Sequence, residues 1–142
     1  MTDPATAPPP AAPPAGRAAA ERLFRSVRPE LEDRFRELAG RDGKPAGLRW
    51  AKCEFAGEPT FVPTPTGRLD ALLAVTIHFE PIPGGGMEEV AAARLPRSAV
   101  ALFHHRPPPR WAFWSAGAWG TGGRVLFNHT PDTAAERIAE GL

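Results

Sequence analysis

Between residues 69 and 79 every odd position is apolar: Leu69, Ala71, Leu73, Val75, Ile77 and Phe79. Thr76, His78 and Glu80 occupy the even side toward the end. Successive strand side chains point to opposite faces, so this spacing predicts a β-strand with one fully apolar face. Such a face cannot stay in water. The chain must supply a second apolar layer to cover it, which excludes every architecture without one.

The covering layer lies upstream. From residue 17 to 39 the apolar side chains Ala20, Leu23, Phe24, Val27, Leu31, Phe35 and Leu38 recur at steps of three and four, one stripe of an amphipathic helix. Its opposite face offers Glu21–Arg25, Arg28–Glu32, Glu30–Arg34 and Glu32–Arg36 at i,i+4 spacing, worth a few tenths of a kcal/mol each. Pro29 interrupts the pattern, because a proline inside a helix removes one hydrogen bond and crowds the carbonyl four residues before it. The stripe continues across it, so the expectation is a kink or break near Arg28, with Gly40 as the stop.

The remaining segments read as strands and one helix. Residues 48–56 alternate, but the register slips between Leu48/Trp50 and Cys53/Phe55, which a bulge near Lys52 explains. Pro81, Pro83 and the run Gly84-Gly85-Gly86 end the central strand and turn the chain. Residues 87–94 are expected to return as a strand, and 99–105 reads as a strand or a short helix after Pro96, with strand the favoured reading. Residues 111–115 and 119–127 form a hairpin candidate about Ala116-Gly117, with Trp111, Phe113, Trp119, Val125 and Phe127 on the core side and Trp114 facing away. Thr130-Pro131-Asp132 is a helix start, with threonine as N-cap and proline in the first turn. Ala134, Ala135 and Ile138 then form the apolar side of a short helix. The expected fold is α+β: a kinked N-terminal helix on a curled antiparallel sheet of five or six strands, and a short C-terminal helix.

Composition bounds the class. The 142 residues are 42% hydrophobic, enough for one domain with a real core. Six of the 18 prolines fall within the first 14 positions. Residues 1–16 are therefore expected to be a disordered, partly polyproline II tail, and 17–142 a single domain. One cysteine permits no internal disulfide and suits a reducing cytosol. Absence of a long apolar run and of a secretory start points to a cytoplasmic protein with no membrane partner. A net charge of +1 gives no general field for nucleic acid. Arginine outnumbers lysine 15 to 2, a skew that points to a GC-rich bacterial genome.

No complete catalytic set is present. His78 and Glu80 share one face of a strand, and His129 could complete a two-histidine, one-carboxylate metal site in a cavity between helix and sheet. The plainer reading is a polar outer face. His-x-Glu also opens the zinc deaminase signature, but the sole cysteine, Cys53, lies upstream of it, so that reading fails. Zinc fingers are excluded by the cysteine count. Cys53 as a nucleophile has no supporting neighbour and reads as small apolar filler. Adjacent His104 and His105 point to opposite sides of a strand and cannot chelate together. The glycine runs at 84–86 and 117–123 have no Gly-Lys-Ser/Thr ending and no following helix, so phosphate-loop readings fail.

The most unusual surface candidate is the stretch from Arg106 to Trp119. It sets Trp114 beside Arg106 and Arg110 after a proline triplet, a combination suited to a protein interface or, as a minor alternative, to stacking single-stranded nucleic acid. The sequence thus points to a non-catalytic binding or interaction module that associates with itself or with another protein. It implies no cofactor. The rival is a small enzyme or ligand binder built on His78, Glu80 and His129. Several unrelated α+β folds share this order of elements, so layout assigns no function.

Overall fold

The computed structural model describes residues 14–42 and 47–142. Its elements are α1 (Pro14–Asp42), β1 (Leu48–Pro63), β2 (Leu69–Pro81), β3 (Arg97–Arg106), β4 (Ala118–Gly120), β5 (Val125–Phe127) and α2 (Pro131–Ala139). The expectation of a disordered tail over 1–16 falls mostly outside the described residues; its last three residues already belong to α1.

The strands form one curled antiparallel sheet, a meander β1-β2-β3 whose last neighbour is split, since both β4 and β5 pair with β3. The α+β expectation holds. β1 slips register between Trp50 and Lys52, where the bulge was expected, and again between Ala56 and Thr60. Between β4 and β5, residues 121–124 oppose only Leu102 and Phe103 of β3, so the edge bulges there. Gly123 takes φ +78° in that bulge and sits against the backbone of Leu38 and Ala39, a contact that leaves no room for a side chain.

Each face of the sheet carries a helix. Ala71, Leu73, Val75, Ile77 and Phe79 of β2 join Ala99, Ala101 and Phe103 of β3 against Phe24, Leu31, Phe35 and Ala39 of α1. Phe24 stands edge-on to Phe61, Phe103 and Trp119, and the Trp119 indole donates to the Ala20 carbonyl at 2.8 Å. On the reverse face Val62, Leu72, Val100 and Leu102 pack on Ala134 and Ile138 of α2. Residues 70–73 are consequently buried on both sides, and the alternation of exposure begins only beyond them. α2 starts as expected: Thr130 and Thr133 each bond the other's backbone N–H in a reciprocal cap.

α1 continues as one helix through Pro29, with no break at Arg28, and extends past Gly40. Pro29 is exposed, so the helix carbonyl it deprives of a partner faces water, where solvent can satisfy it. Arg28–Glu32 and Glu32–Arg36 form as expected, whereas Arg25 reaches Glu58 of β1 and Arg34 pairs with Glu37.

Two strand expectations fail. Residues 87–90 form a turn and Ala91–Arg94 a 3-10 helix. The Glu88 carboxylate accepts from the N–H groups of Gly84 and Gly86 and closes the turn, and β3 already occupies the free edge of β2. The hairpin of 111–115 with 119–127 is also absent. Arg110–Ala112 is a 3-10 turn, and both β4 and β5 pair with β3 instead. Among the described residues no helix is long and apolar enough to cross a membrane.

Candidate functional site

The segment joining β3 to β4 is built by its prolines. Pro107, Pro108 and Pro109 have no N–H to give a ladder, so the chain leaves the sheet after Arg106. It returns at Ala118, which pairs with Arg106 and closes the loop. Between these points Ala112 N–H bonds Pro109 O and Ser115 N–H bonds Ala112 O, winding a tight turn. Ala112 is its buried foot.

The aromatic side chains of that turn face outward. Trp111, Phe113 and Trp114 are 75%, 83% and 70% exposed. Trp114 packs edge-on against both neighbours, with ring centroids 6.2 Å from Trp111 and 5.6 Å from Phe113. The strand register that would have buried Trp111 and Phe113 never forms, so the three rings make one knuckle. Trp119, Val125 and Phe127 do pack on the main core as expected. Arg106 and Arg110 flank the knuckle, both exposed and without an ion-pair partner among the described residues.

His78, Glu80 and His129 are not brought together. His78 and Glu80 lie on the even side of β2, opposite α1, so neither lines a space between α1 and the sheet. His78 Nε2 meets Glu54 Oε1 at 3.0 Å, Glu80 pairs with Arg49, and His129 Nδ1 donates to the Phe127 carbonyl at 2.9 Å. Lys52, and then His78, hold the Glu54 carboxyl below its ordinary value. Among the described residues no group of three or more His, Cys, Asp or Glu is placed to hold a metal ion. Cys53 is half-buried, and burial pushes its thiol up to about 11 despite the nearby Arg36. At neutral pH it is protonated, which suits filler rather than a nucleophile.

Sequence reasoning overlooked a second polar group beside the knuckle. Asp70 and His104 are cross-strand partners at one end of the sheet. The Asp70 carboxylate, 2% exposed, accepts from His104 Nδ1 at 2.9 Å and from Arg68 Nε at 3.2 Å. The only signal was an aspartate opening an apolar strand, and its partner lies 34 residues away. Comparison with protein-family models, with curated proteins and with solved structures finds no match to this chain.

Proposed function

We propose that this chain is a non-catalytic interaction module that self-associates through the Trp111-Phe113-Trp114 knuckle. The observation that carries the reading is the exposure of three contiguous aromatic rings on a turn with a buried foot. An aromatic side chain offers about 150–250 Å², so three rings exposed at 70% or more present on the order of 400–500 Å² of apolar surface. That is the upper part of the range for the largest patch on a monomer, where such patches are often functional.

Charge and area decide how copies meet. Knuckle against knuckle would bring two Arg106 and two Arg110 together, and residues 104–124 contain no acidic side chain to offset them. The knuckle also provides only about half of the roughly 800 Å² per partner that a stable interface needs. Proline-rich chain is the complementary chemistry, since polyproline II segments dock on aromatic surfaces at low entropic cost. Residues 2–15 of a second copy have that composition, with one acidic side chain, Asp3, and no basic one. Gly16 and Arg17 of α1 share a cavity wall with Pro107, the first proline of the knuckle loop.

Size-exclusion chromatography with light scattering tests this on wild type, Trp114→Ala and the triple variant Pro8→Ala/Pro9→Ala/Pro10→Ala. Wild type should gain mass with concentration and both variants should remain monomeric. A wild-type monomer at every concentration overturns the reading. So does association that neither variant weakens.

A further inference from the structure

The end of the sheet beside the knuckle holds a cavity of about 510 Å³ whose walls include Arg68, His104, Arg106, Trp119 and Thr121. Its chemistry is set by the buried Asp70. A carboxylate accepts hydrogen bonds only, so the 2.9 Å contact fixes a proton on His104 Nδ1 and leaves Nε2, across the ring, without a hydrogen bond among the described residues. Arg68 spends Nε on Asp70, and its two terminal nitrogens have no partner among the described residues. Arg106 is wholly unpaired there.

The charges do not cancel. Arg68 balances Asp70, which leaves Arg106 as one uncompensated positive charge. His105 also lines the cavity, but its Nε2 is bonded to the Ala116 carbonyl at 2.7 Å. Among the described residues no acidic side chain lines the cavity; Asp70 stands behind it. Two guanidinium groups and a held imidazole match a compact doubly charged oxyanion, which accepts at several oxygens at once. A second cavity of about 270 Å³ shares Arg68, His105 and Pro107 with the first and adds Ala20, Pro63 and Leu69. This apolar annex gives room for an organic group attached to the anion.

We infer that this cavity binds the phosphate group of a small phosphate monoester, with Arg68 and Arg106 gripping its oxygens beside the His104 ring. Asp70 is a positioning residue that holds His104 and Arg68 in place.

Calorimetric titration of the full chain with inorganic phosphate, glycerol phosphate, sulfate and acetate tests the inference. Phosphate and glycerol phosphate should bind, and acetate should bind at least about tenfold more weakly. Arg106→Gln, an exposed change that leaves the core intact, should weaken phosphate at least about tenfold. Sulfate has the same tetrahedral shape and carries a double charge, so it should bind with phosphate rather than with acetate. Trp114→Ala should bind phosphate as wild type does, which separates this site from the association surface. No phosphate binding, acetate binding as tightly as phosphate, or unchanged binding in Arg106→Gln would each overturn the inference.

Discussion

Replacing Gly117 by alanine strikes the point where the knuckle loop rejoins the sheet, and its cost can be separated from the general cost of left-handed backbone. Gly117 has φ +82°, and a Cβ there would lie 2.3 Å from the Arg106 carbonyl oxygen and 2.6 Å from His105 Nε2. Gly57 has nearly the same φ, +79°, with nothing within 4 Å of its Cβ position. Holding an L-residue in this region costs about 1–2 kcal/mol at either site. At Gly117 the overlap adds about 1–3 kcal/mol of forced displacement. Displacing His105 also threatens its bond to Ala116, worth about 1 kcal/mol. Gly117→Ala should therefore lose about 3–6 kcal/mol and Gly57→Ala about 1–2 kcal/mol. At this chain length that difference corresponds to roughly 5–15 °C in melting temperature. Urea and thermal unfolding of the two variants beside wild type give the comparison. Equal losses would show that crowding at the β3–β4 junction is not what holds the loop.

Three further outcomes follow from the same geometry. Because burial raises the Cys53 thiol from 9.0 to about 11, alkylation by iodoacetamide should stay slow in the folded protein until the pH approaches that value. The sign for stability is equally definite: the contribution is fully present below about 9 and is lost as pH rises toward about 11, so unfolding at pH 8 and 10.5 should differ in that direction. Pro29→Ala restores a helix donor at an exposed position of α1 and should raise stability by about 1–3 kcal/mol in urea titrations. Thr130→Ala removes half of the reciprocal cap on the nine-residue α2 and should cost about 1 kcal/mol, with amide exchange of α2 rising first.

What could be read in the sequence was whatever a local period encodes. The stripe on α1, the one-sided β2, the bulge before Lys52 and the Thr130 cap all depend on neighbours within a few residues, and all are present. Residues 87–94 misled because a returning strand needs a free edge, and β3 had already taken that edge of β2. Trp111 and Phe113 misled for a related reason. Their odd spacing matters only in a strand, and the proline triplet had already lifted the chain off the sheet. The Asp70–His104 pair was beyond any local pattern, because it exists only through the register of β2 on β3.

The most direct question is whether the knuckle rings are covered when copies associate. Acrylamide quenching of tryptophan emission across a concentration series, run beside light scattering, measures this. Trp50 and Trp119 sit partly buried on the core and give a constant background, so a change reports Trp111 and Trp114. The predicted result is quenching that falls as mass rises in wild type, and no such fall in Trp114→Ala. Mass that rises while quenching holds constant would place the interface elsewhere on the molecule and contradict the account.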